Sequence, residues 1–373
     1  MEYIVFTNRE HYNDLGIVRS LGEIGIRPVL VAVIGPVKFV GYSRYVKETH
    51  YVSDVEEGYR LIVEKYSKVN DKSFILSGND VVTACLDRHY DEIKDYFYFY
   101  NAGASGRINY YMNKDRMFDV VAKHGLQVAR TWKINVGDIP DDIEYPIMTK
   151  AVNTIGSEWK SIVFVCNNDE ELLAAYSKIK SPTVLLQQYI KKNDEVAFQG
   201  ISIDHGNQVA ILTTMRQLYN LPYTYSPIWI VKNNKNEEMT RRISDIIREI
   251  GLEGIFEFEF LEDMEGNLWF LEINMRSAAD GYATTVAGMS QVTLWCDSMI
   301  NGCFPREYYK EIPDGFMAIA ECFDYDARVK KGVISHGEWF RQYLKMPCKL
   351  YKGRYDYLPF FLFMWYKFTK MKH

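Results

Sequence analysis

Gly254-Ile-Phe-Glu-Phe-Glu-Phe-Leu-Glu-Asp-Met-Glu-Gly-Asn-Leu-Trp-Phe-Leu-Glu-Ile-Asn-Met-Arg276 reads as two strands joined by a turn at Glu265-Gly266-Asn267. Alternation along a strand sends Glu257 and Glu259 to one face of the first strand. It likewise sends Glu272, Asn274 and Arg276 to one face of the second. A hairpin then gathers acids, an amide and a guanidinium. Acidic side chains within apolar strands are costly unless they are paired or metal-bound. Oxygen ligands with no His or Cys among them suit Mg²⁺, or Mn²⁺ in its place. An amphipathic hairpin with one wet face would give the same alternation, and pattern alone does not separate the two.

The rest of the chain sets the frame. Its 373 residues suggest two or three domains. Hydrophobic residues at 47% and charged residues at 25% fit a globular protein rather than a disordered one. Six cysteines are scattered without C-x-x-C spacing, so neither a zinc ribbon nor a disulfide framework is expected. Reduced thiols in a cytoplasmic setting are the expectation. The first residues read as a strand and not as a signal peptide. No apolar run approaches the roughly 18–20 residues that span a bilayer. Charge is uneven: Ala327–His373 holds 11 basic and 2 acidic residues, against a net charge of −5 for the whole chain.

Glu2–Thr7 and Pro28–Ile34 are apolar, β-branched runs flanking a helical pattern over Asp14–Ile24. This β-α-β unit predicts a parallel sheet. A third strand is expected at Ser73–Ser77, after a helix over Glu56–Tyr66. Ligands of open α/β sheets bind beyond the carboxyl ends of strands, where Asn79 and Asp80 fall. No G-x-G-x-x-G follows the first strand, so a dinucleotide site is unsupported. Further on, Lys114–Gly125 is helical and Gly125–Trp132 returns as a strand. Short strands follow at Pro146–Lys150 and Ser161–Cys166, then a helix over Asn168–Ile179. Thr183–Ile190, Glu195–Ile203 and Gln208–Met215 read as antiparallel strands. Glu237–Ile250 is an amphipathic helix ending at Gly251.

Glu272-Ile-Asn274-Met-Arg276, with Glu259 thirteen residues before Glu272, resembles the Glu-x-Asn-x-Arg end of the ATP-grasp superfamily, over about residues 1–320. The resemblance implies an N-terminal parallel α/β domain (1–107), a small ATP-grasp lobe (108–186), a large lobe with the metal site (187–320), and a short basic, aromatic extension (321–373). It implies ATP with Mg²⁺ or Mn²⁺ as cofactors. Glu259, Glu272 and Asn274 would be metal ligands, with Glu257 behind them, and Arg276 the catalytic cation on the transferring phosphoryl group. Lys150, after Tyr145-Pro146, resembles the family lysine near the α-phosphate and adenine. Lys114 resembles an earlier phosphate-facing lysine, with Arg116 a nearby substitute. Gln187-Gln188-Tyr189-Ile190 is similar to the interlobe strand that meets adenine through its backbone, and Glu195 to the acid that binds ribose. The usual Gly-rich phosphate loop is reduced here to Ala151–Lys160, from which Ser157 and Lys160 are expected to cap phosphates. This Lys-Ala segment with its Trp159-Lys160 pair looks like the branch containing D-aspartate ligase; the chain is also similar to carbamoyl phosphate synthase large subunits. Arg216, Asn79, Asp80 and Asp280 are candidates for substrate contact, by position.

The implied reaction is attack of a substrate carboxylate on the γ-phosphate, then displacement of phosphate by an amine. A carboxylase, a carboxylate–thiol ligase, a kinase or a non-catalytic nucleotide-binding protein are the alternatives. Nucleic acid is an unfavoured partner of the acidic body. The tail from Asp356 to His373 is apolar and closed by lysines. It could lie in a membrane interface on the cytoplasmic side, pointing to cell-wall or surface-glycan precursors. It could instead pack on the protein's own body or across a homodimer.

Overall fold

Parallel pairing organises the N-terminal third, as the β-α-β reading predicts. The computed structural model describes residues 1–68, 71–150, 163–219, 228–232, 236–305 and 310–370. Strands β1 (Tyr3–Thr7), β2 (Val29–Val33), β3 (Glu48–Val52), β4 (Ser73–Leu76) and β5 (Phe97–Tyr98) form one sheet in the order 3-2-1-4-5. All four pairings are parallel. Helices α1 (Tyr12–Gly22), α2 (Val55–Tyr66), α3 (Asp80–Arg88) and α4 (Tyr90–Ile93) connect them. Strand β3 was not expected: its Glu48-Thr-His-Tyr-Val sequence is that of a half-exposed edge strand, without the apolar run that marks β1 and β2. Sequence order reverses around β1, so the carboxyl ends of β1 and β4 flank a crevice.

After α5 (Arg107–Tyr111) and α6 (Lys114–Lys123), the chain was expected to run as one strand to Trp132. It forms two instead. β6 (Gln127–Val128) pairs with β15 (Leu268–Asn274), whereas β7 (Thr131–Asn135) pairs with β10 (Thr183–Gln188) in a different sheet. Alternation reports faces and not partners, so a change of sheet at Ala129-Arg130 is silent in sequence. The smaller sheet has the order β7-β10-β8-β9, with β8 at Ile147–Lys150 and β9 at Val165–Cys166. Helix α7 (Asp169–Tyr176), capped by Asn168, covers it through Leu172 and Ala175. β10 is thus antiparallel to β7 and β8, while β11 (Asp194–Ile203) lies in the other sheet.

The large sheet holds β11, β12 (Gln208–Gln217), β13 (Ile228–Val231), β14 (Gly254–Glu262) and β15 in its body, and β16 (Met317–Ile319) near one edge. Helix α8 (Glu237–Ile250) buries Met239, Ile243, Ile246, Ile247 and Ile250 against it. It stops at Gly251, whose φ of 76° supplies the left-handed C-cap expected there. Helices α9 (Tyr282–Val286) and α10 (Gln291–Asn301) pack between this sheet and the first one. Trp295 of α10 is fully buried, edge-on to Phe74 and Tyr100.

Beyond β16 come α11 (Glu321–Asp324), α12 (His336–Lys345), β17 (Cys348–Lys349) and α13 (Leu358–Lys370). β17 pairs in parallel with β16, so this basic segment completes the large sheet. It also reaches back to the start of the chain. Arg19 of α1 is fully buried and donates to the Leu350, Tyr351 and Asp356 carbonyls and to Asp356 Oδ2. Asp356 in turn accepts from Ser43 Oγ and the Arg44 amide. Breaking a buried pair costs far more than removing both partners, because one charge is stranded. Asp356→Ala is expected to lower unfolding free energy by about 3–5 kcal/mol, and the double variant Arg19→Met/Asp356→Leu to recover part of that. Urea unfolding of the three chains measures it.

Candidate active site

Five phenylalanines fix which way the central hairpin faces. Phe198 of β11, Phe256, Phe258 and Phe260 of β14 and Phe270 of β15 are buried together beneath α8. Alternation then forces Glu257 and Glu259 to the other face. The register sets Glu259 opposite Glu272 and Glu257 opposite Asn274, while β11 places Gln199 beside Glu257. Asp263 holds the turn by accepting from the amides of Glu265 and Asn267 and from Trp269 Nε1. Gly266 supplies its positive φ of 86°.

The acids form a network. Asn274 Nδ2 donates to Glu259 Oε1 at 2.7 Å and to Glu257 Oε2 at 3.1 Å. Gln199 Nε2 donates to Glu257 Oε1 at 2.8 Å and to Asp280 Oδ1 at 2.6 Å. Gln291 of α10 steers that amide by donating to Gln199 Oε1. Burial, then the carboxylates of Glu257 and Glu272, push the Glu259 carboxyl well above the usual range. Burial and Glu257 do the same to Asp280, whose Oδ2 has no hydrogen-bond partner among the described residues. Convergent like charges in an all-oxygen donor set are what a bound dication would relieve, so Glu259, Glu272 and Asn274 fit Mg²⁺. Asn274 now turns its nitrogen to the acids and its oxygen to Arg276 Nη2 at 3.0 Å. Acting as a ligand would require the amide to turn over.

Cations approach from two directions. Lys114 Nζ, at the start of α6, lies 3.3 Å from Glu272 Oε2. Lys150, at the end of β8, donates to Gln187 Oε1, and Gln187 Nε2 donates to Thr131 Oγ1. Burial, and secondarily Lys114, bring the Lys150 amine down to about 8. The amides of Gln188 and Tyr189 are used by the carbonyls of Arg130 and Pro146. Glu195 faces the same side as Glu259 and is held by Lys192 and Gln217. Ser157 and Lys160 lie outside the described residues.

Arg276 crosses to the N-terminal sheet. Its Nε is 2.8 Å from Oδ1 of Asp80, the first residue of α3. Asn79 caps that helix through the amides of Val81 and Val82. Arg216 is not brought here. It sits on the phenylalanine side of the sheet, tied to Glu262 at 2.7 Å and Asp194 at 3.0 Å, because its odd–even position on β12 is opposite to that of Gln217.

Some contributors went unnoticed in sequence. Asn13 Nδ2 donates to the carbonyls of Ser277 (2.8 Å) and Gly78 (3.0 Å), pinning the residue after Arg276 to the crevice. Tyr100 holds the Ser277 hydroxyl at 2.9 Å. His11, the N-cap of α1, is kept neutral by burial and then by Arg276 and Arg9, which lower it to about 4. His11 and Asn13 had a usable signal in their place beyond the end of β1. Gln199 had one as an amide within an apolar strand.

The chain is similar to known proteins. Residues 114–293 match the family model of the carbamoyl-phosphate synthase L chain, ATP binding domain. Over residues 114–293 the chain belongs to the ATP-grasp superfamily. The 2-oxoglutarate carboxylase small subunit of Hydrogenobacter thermophilus is 25% identical over 42% of the chain and 35% of its own length. The D-alanine–D-alanine ligase of Fusobacterium nucleatum is 25% identical over 44% of the chain and 55% of its own. The chain thus spans between about a third and just over half of these relatives. The structure of N5-carboxyaminoimidazole synthetase from Staphylococcus aureus superposes with a TM-score of 0.66 at 17% identity, covering 89% of this chain and 85% of that one.

With Lys150 proposed to meet nucleotide phosphate, an amine brought down to about 8 by burial predicts nucleotide binding that depends on pH. Its cationic form is present below that value and favours phosphate. ATP affinity is expected to fall as pH rises from 7 to 9.5, by at most about tenfold per unit above the amine's pKa. Lys150→Arg, which keeps its charge, should flatten the profile. Isothermal titration across that range checks it.

Proposed function

We propose that this ATP-grasp protein is a ligase. It would activate a substrate carboxylate as an acylphosphate and couple it to an amine, releasing ADP and phosphate. One observation carries the reading: Glu259 and Glu272 face each other across the hairpin, while Arg276 extends from the same strand to Asp80 in the N-terminal crevice. The phosphate-facing acids and the crevice are thereby joined at one guanidinium.

Mg²⁺ (or Mn²⁺) on Glu259, Glu272 and Asn274 would neutralise the phosphate oxygens. Lys114 and Lys150 supply positive charge beside them, and Ser157 and Lys160 are proposed to cap the terminal phosphates. Arg276 cannot lose its proton. It orients the substrate carboxylate toward the γ-phosphate and stabilises charge as the tetrahedral centre forms. Asp80, released from Arg276 when a carboxylate takes its place, offers an anion to an incoming ammonium group. Asn79 and the buried Asp280 are proposed to line that side; Arg216, committed to Glu262, is left out. Glu195 is proposed to hold the ribose, with the adenine edge met along Gln187–Ile190. The units proposed at 1–107, 108–186, 187–320 and 321–373 exchange strands at their borders, since β6 and β17 join the large sheet and β10 runs to Gln188. A carboxylase, with bicarbonate as the acid, is the second reading, since one curated relative is a carboxylase subunit.

The C-terminal helix bears on location. Phe360, Phe363 and Met364 of α13 pack on the core, and Lys367 pairs with Asp326, so the helix rests on the protein's own body. Leu358, Phe361, Trp365 and Phe368 form an outward stripe, with Trp365 71% exposed. We propose that this stripe meets the anionic inner face of a membrane, and that the substrates belong to cell-wall or surface-glycan precursors. Flotation with vesicles containing phosphatidylserine tests this. Full-length protein should float, and a Phe361→Ser/Trp365→Ser variant should not. Equal absence of both from the lipid fraction would sink the proposal.

The ligase reading is tested by supplying amino acids and other small carboxylates with ATP. Phosphate release that depends on a carboxylate–amine pair, with a product mass equal to their sum less water, is the expected result. Bicarbonate-dependent release with a gain of one CO₂ would favour the carboxylase. Glu272→Gln should abolish turnover while leaving the melting profile unchanged.

A further inference from the structure

Away from the nucleotide lobes, three unlike side chains converge on the outer side of the N-terminal sheet. Cys85 and His89 are four residues apart, in α3 and at its C-cap, and so share a face. Glu56, in the first turn of α2, meets them. The Cys85 Sγ lies 3.6 Å from Glu56 Oε1, and His89 Nε2 lies 3.1 Å from Glu56 Oε2. All three donor atoms fall within 4.8 Å of one another. A tetrahedral Zn²⁺ with ligands at about 2.0–2.3 Å sets them roughly 3.3–3.8 Å apart, so little movement is needed.

The surroundings add an independent observation. The far nitrogen of the imidazole, His89 Nδ1, meets Glu92 Oε1 at 3.0 Å, and Glu92 Oε2 accepts from the Tyr59 hydroxyl at 2.7 Å. The Tyr59 ring stacks on the imidazole with centroids 3.9 Å apart. A metal-bound histidine typically hands its other N–H to a carboxylate, which fixes both tautomer and ring plane. Here that support is already built. Arg88 Nη2 holds Glu56 Oε1 at 2.6 Å, leaving Oε2 directed at His89. Glu56 and His89 are partly exposed, so an ion has an entry path and a solvent-facing fourth position.

We infer that Glu56, Cys85 and His89 bind a zinc-type divalent cation, with Glu92 as the positioning residue for His89. Binding replaces the proton on Cys85 Sγ, which leaves to solvent, and the imidazole binds neutral through Nε2. Thiolate, carboxylate and dication then sum to zero charge. The ion would staple α2 to α3 on the far side of the sheet from α1. It differs from the nucleotide centre in ligand class, which contains sulfur and nitrogen where the other has oxygen alone, and it does not depend on the ligase reading.

That difference supplies the test. Co²⁺ alone is titrated into the reduced full-length protein, and near-ultraviolet absorption is followed. A sulfur-to-cobalt charge-transfer band saturating at one metal per chain is expected, displaced by Zn²⁺. The oxygen-only nucleotide centre cannot produce it. Cys85→Ser should abolish the band, and Glu56→Gln and His89→Ala should weaken binding tenfold or more. Glu92→Gln should weaken it about 10–100-fold, whereas Cys303→Ser, which removes the exposed thiol, should change nothing. Cys85 is fully buried, so the half-exposed Glu56 and His89 variants keep the test meaningful if the serine chain folds poorly. Absence of the band, or a band of undiminished affinity in the Glu56 and His89 variants, overturns the assignment.

Discussion

Everything in the centre of this molecule follows from crowding carboxylates onto a sheet that cannot turn them away. The reverse face of β14 carries Phe256, Phe258 and Phe260, and those rings are buried under α8. A one-residue slip would put Glu257 and Glu259 into that layer and the rings into solvent, so the register is locked. The acids therefore stay together despite their mutual repulsion. Gln199 and Asn274 donate to them without adding positive charge. Apart from Lys114 beside Glu272, amides and not cations meet these acids, and burial with mutual repulsion raises Glu259 and Asp280.

The N-terminal sheet is joined to that centre through hydrogen bonds more than through shared charge. Asn13 reaches across to the Ser277 carbonyl, and Tyr100 to its hydroxyl. Both act on the residue next to Arg276, so its position is set from outside the lobe that carries it. Asp80 is its one carboxylate partner from the N-terminal sheet among the described residues. This places the guanidinium between the acids of the hairpin and the N-terminal crevice.

Sequence carried the chemistry of the hairpin further than its surroundings. Glu259, Glu272 and Asn274 could be grouped because their spacing and alternation are local properties. β1, β2 and α8 were legible for the same reason. The division of Gly125–Trp132 between two sheets was not, since partner choice depends on distant strands. Arg216 shows the same limit: a strand position one residue from Gln217 puts a side chain on the wrong face for the site. Asn13 and His11 follow the end of β1, which marked their place, but the contact of Asn13 with Ser277 forms only where the crevice meets the loop after Arg276.

The fully buried Arg19 has a temporal consequence. The carbonyls and the carboxylate that receive it lie 331 residues or more further along the chain. During synthesis α1 emerges 331 residues or more before the groups that receive its buried cation. Until then α1 must either remain loosely docked or bury an uncompensated cation. A ribosome-bound nascent chain would hold the N-terminal sheet in an immature form, and closure of the crevice beside Arg276 would be among the last events of folding.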